Sequence, residues 1–265
     1  MLTAEQLNAW NSDGFFVVRG FVDPSVGQAM ERETIAAIRD NPPSANPGRV
    51  FYRAGEGLFI QPEAQPGLRA NAPEDLVSKV FNPHLSGAAR DFALSERVAD
   101  LVAGLLGDDI DVFQSQFIFK NPGAWGQPWH QDSYYFPFDR QPQVGVWLAI
   151  SEATLENGCL SVLPGSHLDD IHPHGPDLRE GANQGYREVT GLNVDDAVQM
   201  LMAPGDLLVF HSYLLHRSQD NRAASRRSAM VYHYGRAGTE PLEPLSAAQA
   251  SILRWTPVRR SLQPA

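Results

Sequence analysis

From residue 112 onward the chain is a succession of short, β-rich apolar runs, and that rhythm limits what it can fold into. The runs are Val112–Lys120, Val144–Ile150, Cys159–Leu163, Leu207–Phe210 and Ser228–Tyr234. Turn formers stand between them: Asn121-Pro122-Gly123, Glu156-Asn157-Gly158, Pro164-Gly165-Ser166 and Pro204-Gly205-Asp206. Gly and Pro punctuate secondary structure, so each cluster ends a strand. Strands at this spacing predict a sandwich or barrel rather than βαβ units. All 265 residues fit one domain, because all-β barrels reach about 200–250 residues as a single unit. We read residues 1–110 as a helical N-terminal support, 111–236 as the β core and 237–265 as a C-terminal tail. Residues 168–200, with several charges, Gly and Pro, read as a long loop insertion in that core. Such a loop is either a lid or a solvated excursion.

Ahead of the core the pattern is mixed. Thr3 is a candidate N-cap, with Leu2, Leu7 and Trp10 as apolar contacts. Phe15–Val18 is short and rich in β-formers, a buried strand. Asp23-Pro24 opens a helix carrying Val26, Met30, Ile35 and Ile38, which ends before Asn41-Pro42-Pro43. Residues 41–75 read as loops with a short strand such as Val50–Arg53. Residues 88–106 return to helical spacing until Gly107-Asp108-Asp109 stops them.

Composition narrows the partners. The formal net charge is −10, which argues against nucleic acid, since phosphate binding relies on clustered Lys and Arg. It favours no membrane surface either, and no apolar run reaches the ~18 residues a spanning helix requires. The first residues lack a basic stretch followed by an apolar core, so no secretory signal is expected. Cys159 stands alone, without a partner for a disulfide, and reads as a buried small hydrophobe. Together these point to a cytoplasmic protein acting on a small molecule.

The chemistry concentrates in Trp129-His130-Gln131-Asp132. Residues two apart on a strand share a face, so His130 and Asp132 can chelate one ion from one strand end. A third ligand is then required. His216 closes the run Gly205 to His216, a turn, a buried strand and a return, and is the best candidate; His211 fits the periodicity as well. Two His and one carboxylate on one face leave positions open, the arrangement of non-haem iron(II) oxygenases, although zinc accepts the same donors. Downstream lie Ser218, Arg226 and Arg227. A dicarboxylate held at a metal by one end requires a cation at the other, and the planar fork of Arg suits it. Arg226 and Arg227 face opposite ways on a strand. Period two puts Arg227, Ala229, Val231 and His233 together, and the small Ala229 mildly favours Arg227. His233 then reads as a core or pocket-wall residue.

Three blocks carry a family resemblance. The first is Phe119-Lys120-Asn121-Pro122-Gly123 with His130-Gln131-Asp132 and Tyr135-Phe136-Pro137. The second is Glu156-Asn157-Gly158-Cys159-Leu160 through Leu163-Pro164-Gly165-Ser166-His167. The third is His216-Arg217-Ser218 with Asn221, Ser225 and Arg227. In these the chain resembles the phytanoyl-CoA dioxygenase family of iron(II)- and 2-oxoglutarate-dependent oxygenases, over roughly residues 3–255. The resemblance implies a mainly β fold with N-terminal helices around a double-stranded β-helix (jelly-roll, cupin-like) core. It implies Fe(II) at His130, Asp132 and His216. It implies 2-oxoglutarate contacts from Arg227, Ser218 and Trp147, with Gln116 and Lys79 matching further ones, and O2 as oxidant. The interval from His216 to Arg227 also fits the family and decides between Arg226 and Arg227.

Asp132 occupies the place where related halogenases carry a small residue, so hydroxylation, or another oxidation such as desaturation or cyclisation, with release of succinate and CO2, is favoured over halogenation. Trp129, Ser133, Tyr134, Tyr135 and Phe136 flank the metal block and are candidate pocket residues. A fatty acyl-CoA substrate would want a basic cluster for its three phosphates, and none is convincing: the Arg259-Arg260 pair near the C-terminus has only Arg254 close by in sequence. A free small metabolite fits better. Two other classes remain open on the residues: a metal-dependent cupin-type isomerase or hydrolase without 2-oxoglutarate, and a non-catalytic ligand-binding barrel.

Overall fold

The computed structural model describes residues 2–183 and 185–261. Helix α1 (Ala4–Ser12) starts at Thr3, whose hydroxyl accepts from Gln6 N while the Gln6 side chain closes back on Thr3 N. Trp10 is buried, but Leu7 lies on the exposed side of this helix. Strand β1 (Phe15–Val18) follows, then α2 (Pro24–Asp40), capped by Asp23. Strands β2 (Tyr52–Ala54), β3 (Leu58–Pro62) and β4 (Val77–Phe81) come next. The helical stretch 88–106 is in fact two helices, α3 (Gly87–Ala93) and α4 (Glu96–Leu106). Ser95 divides them because its hydroxyl accepts from Val98 N and caps the second.

The core strands are β5 (Ile110–Lys120), β6 (Val144–Ala149), β7 (Leu160–Val162), β8 (Gly175–Pro176), β9 (Arg187–Glu188), β10 (Val198–Met200), β11 (Leu207–His211), β12 (His216–Ser218) and β13 (Arg227–Arg236). Helix α5 (Ala247–Ile252) and β14 (Thr256–Arg259) end the described chain. The large antiparallel sheet runs β1-β11-β6-β13-β5-β4-β3-β2, with β14 also pairing β5. A smaller sheet runs β10-β7-β12. This is the expected jelly roll, mainly β with helices at its N-terminal end.

The pleat of the large sheet sorts its side chains between two layers. On β13, Met230, Tyr232 and Tyr234 face a cluster with Met30, Ile38, Phe92 and Val102 of α2 to α4. The hydroxyls of Tyr232 and Tyr234 donate to the Ala89 and Ala93 carbonyls of α3. Ala229 and Val231 face the opposite cluster with Trp147, Phe210 and, from the small sheet, Leu160 and Val162. Cys159 is buried in that second cluster, as a small hydrophobe should be. Among the described residues no helix is long and apolar enough to cross a membrane.

Three regions carry more structure than the sequence pattern describes. Residues 1–110 are more than helical support, since β2 to β4 extend the main sheet through β4–β5 pairing. The insertion at 168–200 carries β8, β9 and β10, and Val189 N bonds the Trp129 carbonyl beside the metal block. The tail at 237–265 is no loose end over its described part, because β14 pairs β5 and Arg254 N donates to Phe113 O at 2.7 Å.

His84 pins that terminal segment. It is fully buried, with Nδ1 2.7 Å from Ser115 Oγ and Nε2 2.9 Å from the Arg254 carbonyl. Burial pushes its pKa down to about 4. A group whose folded pKa is depressed stabilises the fold above its unfolded value and loses that contribution as pH falls through the folded one. Between pH 6.5 and 4 His84 is therefore expected to remove about 3 kcal/mol of stability. Denaturant melts across this window should be steeper in pH for the native chain than for His84→Gln.

Candidate active site

The metal block is not a strand. His130 forms an isolated two-bond bridge with His216, His130 N to His216 O at 2.9 Å and His216 N to His130 O at 3.0 Å. Asp132 then opens a one-turn 3-10 helix, Asp132–Tyr134. The convergence predicted from period two is nevertheless present. One ligand atom from each of His130, Asp132 and His216 lies within 4.8 Å of the others, and all three residues are buried. Asp132 Oδ1 stands 3.7 Å from both His130 Nε2 and His216 Nε2.

The backbone fixes which nitrogen each imidazole presents. His130 Nδ1 is 2.8 Å from the Pro128 carbonyl, and His216 Nδ1 is 3.0 Å from the Leu214 carbonyl. A carbonyl only accepts, so each Nδ1 carries the proton and each Nε2 offers a lone pair to the shared centre. Burial, with His216 alongside, holds the His130 pKa well below the ordinary range. It therefore stays neutral, as a metal ligand must be. Gln131 points the other way and ties the insertion down, its amide donating to Tyr213 O and its oxygen accepting from His172 N. His211 lies outside the cluster, its ring tilted against those of Trp10 and His167.

A cavity of about 370 Å³ joins this cluster to the predicted anion anchor. Arg227 is 1 % exposed, and its Nη2 donates to the Gly158 carbonyl at 2.9 Å. Its guanidinium sits 5.7 Å from the Trp147 ring. Arg226 faces away and pairs with Asp75 at 2.5 Å. Ser218, Trp147, Gln116 and Lys79 all line the cavity. The Ser218 hydroxyl accepts from Gln127 N and from Lys120 Nζ, which leaves its own proton to donate. Lys79 donates to Gln127 Oε1 at 3.0 Å, and burial lowers its pKa to about 8.

Sequence reasoning passed over Lys120, Glu63 and Tyr186, which also line the cavity. Lys120 was legible, since Gln116, Ile118 and Lys120 alternate along β5. Tyr186 comes from the insertion, where no periodicity marks it; the Lys79 ammonium lies 4.8 Å from its ring. Of the residues flanking the metal block, only Tyr135 and Phe136 reach the cavity. Trp129 packs instead with Val189 and Leu215, under the Arg217 guanidinium. Ser133 is buried in a hydroxyl and amide network with Ser212 and Gln143. Tyr134 is partly exposed and stacks on His174. Ser133 and Tyr134 turn away because the 3-10 turn Asp132–Tyr134 rotates successive side chains by roughly a third of a circle, not by half.

Whether iron and a dicarboxylate fit can be judged from unmet hydrogen bonds. Asp132 Oδ2, Trp147 Nε1, Arg227 Nε and Nη1, and His233 Nδ1 are buried without a hydrogen-bond partner, and all belong to cavity residues. Unpaired buried polar groups are costly, and a buried unpaired cation most of all. Their collection around one cavity matches a site built to receive a charged ligand at Arg227 and a cation at Asp132.

Residues 10–229 match the profile of the phytanoyl-CoA dioxygenase (PhyH) family. The chain belongs to that family. Peroxisomal phytanoyl-CoA dioxygenase of Rattus norvegicus is 27% identical over 266 residues, covering 96% of this chain and 74% of the relative. Phytanoyl-CoA dioxygenase 1 of Oryza sativa subsp. japonica is 28% identical over 252 residues, 88% of each protein. Among solved structures, EctD from S. alaskensis, bound to 2-oxoglutarate and 5-hydroxyectoine, is similar with a TM-score of 0.67 at 21% identity. That match covers 100% of this chain and 86% of the other. Family membership makes this chain a dioxygenase, and the structural likeness bears out the jelly roll.

Proposed function

We propose that this PhyH-family chain is an iron(II)- and 2-oxoglutarate-dependent dioxygenase that hydroxylates an unactivated C–H bond of a small metabolite, releasing succinate and CO2. One observation carries the reading: a single cavity joins a buried His-Asp-His cluster to a buried arginine with two unpartnered nitrogens. His130, Asp132 and His216 hold the metal. Arg227 and the Ser218 hydroxyl take the far carboxylate of 2-oxoglutarate, with Trp147 beside them, and Gln116 and Lys79 add contacts. Iron with 2-oxoglutarate and O2 supplies the oxidising power that no side chain has. The protein's task is to orient both partners and exclude water. Phe136, Phe81 and Leu253 make the substrate end apolar. EctD carries 2-oxoglutarate in its solved complex, which supports the co-substrate assignment by analogy.

The size of the cavity, about 370 Å³, lies near the small end of ligand pockets and favours a free metabolite over an acyl-CoA. Arg259 and Arg260 support the same reading, being paired with Asp100 and Asp111 and so committed away from a phosphate cradle. A cupin-type isomerase would have no use for Arg227. The test is succinate release across a panel of small carboxylic acids, amino acids and acyl-CoAs, with iron(II), 2-oxoglutarate and O2. Substrate-stimulated succinate with a hydroxylated product is expected. Failure of anaerobic iron(II) plus 2-oxoglutarate to give a visible charge-transfer band in folded protein would overturn the reading.

A further inference from the structure

We infer that His233 is a positioning residue that holds the outer oxygen of Asp132, so that the carboxylate offers the metal one oxygen and not two. This rests on the reading of His130, Asp132 and His216 as a metal centre. Asp132 Oδ1 is equidistant from the two ligating imidazole nitrogens, at 3.7 Å from each. Its second oxygen points elsewhere and has no hydrogen-bond partner. The nearest complementary atom is His233 Nδ1, 3.6 Å from Oδ2 and likewise without a partner. Two buried polar atoms that lack all other partners, just beyond hydrogen-bond length, complete each other. An ionised carboxylate only accepts, so His233 Nδ1 carries the proton.

The ring is held for this task by two aromatic neighbours. Phe136 and Phe113 pack on it, with centroids at 4.9 and 6.0 Å. The pairing of β13 with β5 shifts register opposite His233 and Tyr234, where Phe113 of β5 is the extra residue, and such irregularities re-aim side chains of the strand that carries them. His233 stands on the same face of β13 as Arg227, so one strand aims both the co-substrate anchor and the carboxylate support. The consequence is chemical. A carboxylate ligating through one oxygen takes one coordination position, whereas a chelating one takes two. By restraining Oδ2, His233 would leave a position free on an ion held by His130, Asp132 and His216.

The test compares His233→Leu, which removes the donor, with His233→Asn, whose amide nitrogen can stand near the Nδ1 place. Mn(II) titration of the full chain by calorimetry is expected to give a Kd weaker by about 10–100-fold for His233→Leu. His233→Asn should bind close to the native value. With anaerobic iron(II) and 2-oxoglutarate, the visible band of His233→Leu should shift, and that of His233→Asn should not. If the leucine variant fails to fold, His233→Phe, closer in shape, replaces it. Native Mn(II) affinity in a folded variant lacking the donor would overturn the inference, as would equal weakening in His233→Asn. Asp132→Ala separates the two levels: unchanged Mn(II) affinity in that variant would overturn the metal centre itself, and this inference with it.

Discussion

Asp132→Ala is expected to abolish turnover and to weaken metal binding by more than about 100-fold, the upper end of what removing an outer partner of a ligand costs. Asp132 is the only carboxylate in the three-residue cluster. Without it two neutral imidazoles face a dication with no charge to offset it. The fold should survive the change. Oδ2 has no partner, and the turn is held by main-chain bonds such as Tyr135 N to Asp132 O at 2.9 Å. Metal titration, succinate assay and thermal melting of the apoprotein together check the prediction. Turnover in the variant within tenfold of the native chain would remove Asp132 from the centre.

Arg227→Met is expected to affect co-substrate and fold in opposite directions. Truncating one partner of a buried, hydrogen-bonded charge pair costs about 2–5 kcal/mol, or about 30- to 4000-fold in 2-oxoglutarate affinity. Mn(II) binding should be nearly unchanged, because Arg227 touches none of the three ligands. Without 2-oxoglutarate the native arginine keeps two nitrogens unmet and its pKa is pushed down to about 10 by burial. Replacing it with an apolar side chain of similar reach should raise the melting temperature of the apoprotein. Adding 2-oxoglutarate with metal should then stabilise the native chain and not the variant. Arg227→Lys should recover little, since a point charge lacks the planar fork. A variant that binds 2-oxoglutarate normally would assign the anchor to Lys79 or Lys120 instead.

Most of the chemistry was legible because it rests on alternation that the pleat enforces. Arg227 and His233 share a face of β13, while Tyr232 and Tyr234 take the other, as period two required. His130 and Asp132 converge for a different reason than predicted. The bridge to His216 positions one and a 3-10 turn the other, and neither is visible in residue types. That turn also carries Ser133 and Tyr134 away from the cavity and returns Tyr135 to it, a rotation that residue types do not reveal. The strands β2 to β4 were hard to read among Pro and Gly, because their pairing with β5 is a tertiary choice. The terminal helix did leave a signal, the Ser246-to-Gln249 capping box, in a stretch read only as tail.

That terminal segment has a consequence for how such a protein diversifies. Ala248, Gln249, Ile252 and Leu253 line the cavity, yet they lie beyond the last residue of the chemical centre and outside residues 10–229 matched by the family profile. Substitutions at Ala248, Gln249 or Ile252 alter the cavity lining from a stretch that gives no ligand to the His130–Asp132–His216 cluster. The ligand cluster and this part of the cavity wall thus lie on separate stretches of chain, so a single substitution in α5 changes the lining and leaves His130, Asp132 and His216 as they are.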